Sequence, residues 1–116
     1  MANAKVLQMP FSKIYTLYQQ KVTKKQRPIA ELDTILLWLT GYDQDQLQHL
    51  LTTDLSLADF FNQAPAFNPN AHLITGMICG IRVETISDPL MQPVRYLDKL
   101  VDELAKGRPL TKILRQ

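Results

Sequence analysis

The chain is expected to fold as an all-α, compact single-domain bundle of about five to seven helices, and three features of its 116 residues carry that expectation. Apolar residues recur at the i, i+3, i+4, i+7 spacing of helices buried on one face. Asp, Ser or Asn stands at the start of successive segments, twice followed by Pro, and Gly stands at segment ends, which are the start and stop signals of helices. The length suits one hydrophobic core without disulfide or metal staples, so residues 1–116 are read as a single helical domain.

Residues 6–10 are an apolar run ending at Pro10. From Phe11 to Thr23, the residues Phe11, Ile14, Tyr15, Tyr18 and Val22 form an amphipathic stripe that Leu17 widens. The polar tract Thr23 to Arg27 stops that helix, and Pro28 suits the first turn of the next, where its missing N–H is not needed. The second helix, Ile29 to Thr40, carries Ile29, Leu32, Ile35, Leu36 and Leu39 at helical spacing. Its first turn holds Glu31 and Asp33, favoured there by the helix dipole. Leu37 and Trp38 make it apolar nearly all round, which places it centrally. Gly41 closes it. Asp43 with Gln46 has the form of a capping box opening a helix from Gln44 to about Thr52, with Leu47, Leu50 and Leu51 inward. Ser56 with Asp59 opens a short helix turning Leu57, Phe60 and Phe61 inward.

The pivotal stretch is Asn68 to Ile86, NPNAHLITGMICGIRVETI. Ile74, Met77, Ile78 and Ile81 fit a helix, while Leu73, Met77, Cys79, Ile81 and Val83 alternate as in a strand. Asn68 is a good N-cap with Pro69 behind it, and a lone strand among helices would leave its backbone groups unpaired. The expectation is therefore a glycine-containing central helix over residues 69–84, with a strand as the minor alternative and a break at Gly80 as another. On such a helix Gly76 and Gly80 share a face, each costing about 1 kcal/mol of propensity that close approach of a neighbouring helix would offset. This helix and the Trp38 helix are expected to form the core. Asp88-Pro89 repeats the cap signal and opens a long helix through Leu97, Leu100, Val101 and Leu104 to Gly107. Pro93 marks either the true start of that helix or a kink. Leu110, Ile113 and Leu114 face inward from a short terminal helix over 109–115.

The apolar fraction of 46% and charged fraction of 21% are ordinary for a globular protein. A single cysteine makes no internal disulfide and fits a reducing compartment. The N-terminus lacks an apolar signal core and no stretch is long and apolar enough to span a bilayer, so a cytoplasmic protein without membrane contact is expected. The net charge of +2 hides a segregation: residues 1–27 carry six Lys/Arg and no acid, while 28–72 carry six acids and no Lys or Arg. One consequence is a basic patch, Lys21, Lys24, Lys25 and Arg27, that could meet an anionic partner. The other is that the basic first element lies beside the acidic middle and the two fields cancel.

The segments WLTGYD (Trp38 to Asp43), APAFNPN (Ala64 to Asn70), CGIRVETISDPLM (Cys79 to Met91), RYLDKLVDELAKG (Arg95 to Gly107) and KILR (Lys112 to Arg115) together resemble the small bacterial proteins grouped as domain of unknown function 2200. The resemblance covers nearly the whole chain. It implies no activity and no assigned site residues, because the family is named for lacking them.

Catalytic constellations are not found. On one helix Cys79 and His72 would stand about 10.5 Å apart in rise, too far for a thiolate–imidazole pair, and Cys79 reads better as a buried small hydrophobe. His49, His72 and Cys79 lack metal-ligand spacing, and Gly76 and Gly80 lack the adjoining lysine of a phosphate loop. No cofactor is expected. The polar cluster Arg82, Glu84, Asp88, Arg95 and Tyr96 could hold a small molecule or anion, or could be a salt-bridged helix junction. The helix–Gly41–helix unit invites a DNA-binding reading, yet its second helix opens with Asp43 and Asp45 and brings no cation to a phosphate. The function expected is a non-catalytic, helical protein–protein interaction module, with a second copy of the chain among its candidate partners. Nucleic-acid association through the basic N-terminal segment, or a small-molecule site near Arg82, Glu84 and Arg95, are the alternatives.

Overall fold

The computed structural model describes residues 4–78 and 80–115. Among the described residues there are seven helices: α1 (Ala4–Gln8), α2 (Phe11–Lys24), α3 (Ile29–Thr40), α4 (Gln44–Leu50), α5 (Leu57–Asn62), α6 (Met91–Ala105) and α7 (Leu110–Ile113). Helix α1, whose residues the apolar run 6–10 did not mark as helical, is separated from α2 by Pro10, which cannot continue a helix. The backbone groups freed at this break are satisfied from the strand-like approach to α5. Phe11 N–H donates to the Leu55 carbonyl at 2.7 Å, and Leu57 N–H to the Met9 carbonyl at 2.8 Å.

Helices α2, α3 and α6 pack pairwise and enclose one core, to which Leu32, Ile35, Leu36 and Leu39 of α3 contribute with no exposed surface. The central position expected for α3 holds. Phe11 stacks on Phe60 with ring centroids 3.8 Å apart, tying α2 to α5. The Asp43–Gln46 capping box forms in both directions, and Ser56 accepts the Asp59 N–H. Gly41 ends α3 in the left-handed region at φ 80°, and a Cβ there would lie 2.8 Å from Ala66. The close approach lets the 64–68 loop take up orphan carbonyls of α3. Ala66 N–H donates to Thr40 O at 3.1 Å, Asn68 N–H to Leu39 O at 2.8 Å, and Asn68 Nδ2 to Trp38 O at 3.1 Å.

The helix expected over 69–84 does not form. Asn68 does cap, accepting the Asn70 N–H, but it opens only a 3₁₀ turn, Pro69–Leu73. Two strands follow, β1 (Met77–Ile78) and β2 (Ile81–Arg82), paired antiparallel with Met77 opposite Arg82 and Ile78 opposite Ile81; a second 3₁₀ turn spans Val83–Thr85. The physical reason lies in the glycines: Gly76 at φ 112° and Gly80 at φ 79° occupy conformations outside a right-handed helix. The objection that a strand would lack a partner fails because the segment folds back and pairs with itself. Val83 N–H closes the hairpin base on the Gly76 carbonyl at 3.0 Å. Among the described residues no glycine-lined helix shares the core, and α6 packs there beside α2 and α3. The burial expected for Cys79 concerns a residue outside those described.

Helix α6 begins at Met91, so Pro93 lies in its first turn, where no N–H is required. The cap position is Leu90 rather than Asp88 and carries no side-chain cap bond; the Asp88 Oδ1 instead accepts the N–H of Leu90 at 2.9 Å and of Met91 at 3.4 Å in the turn that leads into the helix. Leu17 departs from the expected stripe: it is 51% exposed. No helix among the described residues is long and apolar enough to cross a membrane.

Candidate functional site

The five-residue polar cluster divides in two. The first group is built on the hairpin. Glu84 accepts the Gly76 N–H at 3.0 Å through Oε1 and pairs with Arg82 at 3.3 Å through Oε2. The Gly76 hydrogen bond, seconded by the backbone N–H of Glu84 itself and by Arg82, holds this carboxyl below its ordinary range. Tyr96 of α6 lies near enough to respond to Glu84; burial first, and that negative charge second, push its phenol up. Lys99, also on α6, donates from Nζ to the Met77 carbonyl at 3.2 Å and lies against Gly76. Gln92 Nε2 reaches the Val83 carbonyl at 3.4 Å. The segment is thus fastened to α6 at two carbonyls, those of Met77 and Val83.

The second group, Asp88 and Arg95, lines a recess of about 300 Å³ whose apolar walls are Ile81, Ile86 and Met91. Arg95 Nη1 pairs with Asp98 Oδ2 at 3.0 Å. Arg82 and Arg95 therefore serve different carboxylates and do not converge on a common anion.

The basic patch is largely spoken for. Lys21 meets Asp102 of α6 at 3.5 Å and Arg27 meets Glu31 at 2.8 Å, while Lys24 and Lys25 are exposed and make no ion pair among the described residues. The basic block is met from two sides, Arg27 by Glu31 of the acidic middle and Lys21 by Asp102 of α6. Burial pushes the Asp102 carboxyl up, but Lys106 and Lys21 outweigh it and hold the group below its usual range. Among the described residues no group of three or more His, Cys, Asp or Glu could hold a metal.

Two arrangements had no local signal. Tyr18 donates to Asp98 Oδ1 at 2.5 Å across a separation of 80 residues, and the part-buried carboxyl is pushed up because loss of solvent outweighs its Tyr18 and Arg95 bonds. Glu103, 6% exposed on α6, is held by Arg115 at 2.7 and 2.9 Å and by Arg108 at 3.3 Å. Acid–base partners so far apart in sequence are invisible to helical spacing rules.

The fold and site define a small, mostly helical bacterial-type globule whose polar features are held by internal pairs. Residues 5–115 match the family described as "Uncharacterized protein conserved in bacteria (DUF2200)", and the chain belongs to that family, as its motifs implied. It is similar to a solved structure, "Crystal structure of uncharacterized protein SP1917", at 43% sequence identity and a TM-score of 0.90, over 95% of this chain and 90% of that one. No curated protein matches.

Proposed function

We propose that the domain is a non-catalytic protein-interaction module that docks its partner on the surface of residues 73–90. The observation that carries this reading is where the exposed large hydrophobics fall. Leu73, Met77, Ile81 and Leu90 lie in that one segment, whereas Leu17 and Phe67 are single residues elsewhere. Scattered exposed hydrophobics are ordinary, but four within one eighteen-residue stretch support a contact surface, Met77 on the Arg82 face of the hairpin and Ile81 on the Ile78 face. The segment is also pre-ordered, since Val83 is fully buried and the hairpin is fastened to α6, so docking has little chain entropy to overcome. The recess between Ile81, Ile86 and Met91 offers a place for an apolar anchor side chain, with Asp88 and Arg95 at hand for polar contacts. A second copy of the chain is one partner of this kind. The cytoplasm is the compartment we assign, on the single cysteine that suits reducing conditions.

Less supports nucleic-acid binding, because Lys21 and Arg27 are engaged in ion pairs and only Lys24 and Lys25 of the patch remain. The test is light scattering of the purified protein together with pull-down from its host, comparing the wild type with Met77→Lys and Ile81→Lys. Both variants are expected to lose a self-association or a partner that the wild type retains. A wild type that stays monomeric at high concentration and captures no protein overturns the reading.

A further inference from the structure

We infer that the end of the molecule where α2 and α6 stop together binds the phosphate backbone of a double-helical nucleic acid, without regard to sequence. This goes beyond the proposed docking surface and does not depend on it. The patch on α2 alone is small, and what enlarges it is the end of α6.

Two contacts fix how these helices lie. Tyr18 of α2 reaches Asp98 of α6 and, further along both helices, Lys21 reaches Asp102. The partners advance in the same direction, so α2 and α6 run parallel. Lys21 stands three residues before Lys24, the last of α2, and Asp102 three before Ala105, the last of α6. Both helices therefore finish at one level, about 4.5 Å beyond the Lys21–Asp102 pair. Lys24 and Lys25 stand at the first end, Lys106 and Arg108 at the second, and all four are exposed.

The acids at this end are too few to neutralise it. Lys21 and Lys106 share Asp102, at 3.5 and 3.0 Å, and Arg108 and Arg115 share Glu103, at 3.3 and 2.7 Å. Arg27 is offset by Glu31, and Lys24 and Lys25 make no ion pair among the described residues. These seven cations face three acids, a net charge of +4 against +2 for the whole chain, so the rest of the molecule carries −2. The partial negative charge of two helix C-termini, about half a unit each, removes only a quarter of the surplus. Asp43, Asp45 and Asp59 lie at the opposite end: the first two open α4 beyond Gly41, and Asp59 rides on α5, whose Phe60 stacks on Phe11 at the start of α2.

The kind of polyanion follows from what accompanies the charge. Among the described residues, none of the exposed large hydrophobics stands at this end. Leu17 precedes Lys24 by seven residues, Phe67 belongs to the loop that meets the far end of α3, and the other four lie in the 73–90 segment, fastened to α6 at Gln92 and Lys99. Protein interfaces are depleted in lysine and built around an apolar core. Membrane-surface helices add a buried apolar face to their cations, and single strands are held by stacking on aromatics. A duplex backbone is bound by cations alone, through release of its condensed counterions.

The test is fluorescence anisotropy of a labelled duplex of about 20 base pairs titrated with the full chain, between about 50 and 200 mM salt. Four neutralised phosphates give a slope of log affinity on log salt of about −3.6, and two unrelated sequences should bind equally. Lys24→Ala with Lys25→Ala should weaken binding at least about fivefold at the lower salt and flatten the slope by about two. Lys106→Ala should weaken it at least about twofold and flatten the slope by about one. Lys5→Ala with Lys13→Ala removes as much charge near the start of α2 and should change neither. Alanine is the best helix former, so these exchanges outside the core keep the fold. The inference is overturned if no saturable binding occurs at the lower salt, if the two sequences bind unequally, if the Lys5 and Lys13 exchange weakens binding as much, or if Lys106→Ala changes nothing. Tighter binding to vesicles of about a quarter phosphatidylglycerol in phosphatidylcholine than to the duplex also overturns it.

Discussion

The guanidinium of Arg115 grips both oxygens of the Glu103 carboxylate, Nη1 to Oε1 at 2.7 Å and Nη2 to Oε2 at 2.9 Å, and Nη1 also meets the Ile113 carbonyl. Only 6% of Glu103 is exposed, so its charge depends on this fork and on Arg108. The pair pins the C-terminal segment, including α7, to α6. Removing Arg115 leaves Glu103 only the more exposed Arg108, so Arg115→Ala should lower unfolding stability by about 2 kcal/mol, short of the cost of a fully stranded buried charge. Glu103→Met in the same background removes the under-paired charge and should recover most of that loss. Urea unfolding of the two variants measures both changes.

Much of this fold was legible because its signals are local. The Asp43–Gln46 box, Ser56, Gly41 and the apolar stripe of α3 each act within a few residues, and the structure places each where spacing required. The segment 69–84 was misread because Asn68-Pro69 starts a 3₁₀ turn as readily as an α-helix, and nothing nearby says how long the turn will run. The correct cue was the pair of glycines, whose spacing of four imitates a helix face but whose function is to permit positive φ. The site residues were found in part: Asp88 and Arg95 do line one recess, and Arg82 and Glu84 do pair. Tyr18 with Asp98, and Glu103 with Arg115, are joined by tertiary packing alone, and no sequence spacing encodes that.

Asp88 has two roles that one pair of substitutions separates. Its Oδ1 holds the turn that leads into α6, accepting the N–H of Leu90 and Met91, and its carboxylate lines the recess beside Arg95. Asp88→Ala should cost about 1 kcal/mol of stability through the lost turn bonds, whereas Asp88→Asn, which accepts equally well, should cost only a few tenths. Thermal and urea denaturation of the two variants give the comparison. A loss as large in the Asn variant would mean that the charge rather than the turn bonds stabilises this junction.

Tyr15 makes stability fall in alkali. Burial first, then the hydrogen bond to Asp33 at 2.6 Å and its negative charge, raise the phenol well above its ordinary 10.0. The folded state therefore keeps a proton that the unfolded chain releases as pH passes 10. With more protons bound when folded, stability declines as pH rises from about 10 and is unaffected by this group below it. Tyr15→Phe should cost about 1 kcal/mol at neutral pH for the lost hydrogen bond, yet show a shallower decline between about pH 9 and 11.5. The decline should not vanish, because burial also raises Tyr42 and Tyr96. Unfolding free energies measured across that range, wild type against variant, supply the slopes.

Gly76 and Gly80 give a test whose sign depends on the hairpin. Within a right-handed helix, alanine at either position would stabilise by about 1 kcal/mol. In the hairpin both backbones have positive φ, 112° and 79°, so alanine is strained at each. Gly80→Ala meets no neighbouring atom within 4 Å and should cost only the left-handed penalty, about 1–2 kcal/mol. Gly76→Ala should cost more, about 2–3 kcal/mol, because φ 112° lies beyond the left-handed helical well. Its Cβ would also stand 3.2 Å from the Lys99 Cε, displacing the side chain that donates to the Met77 carbonyl. Equilibrium unfolding should therefore rank wild type above Gly80→Ala above Gly76→Ala. Truncating Lys99 to Ala should narrow the gap between the two glycine variants, since the crowded side chain is then gone and only the backbone strain remains.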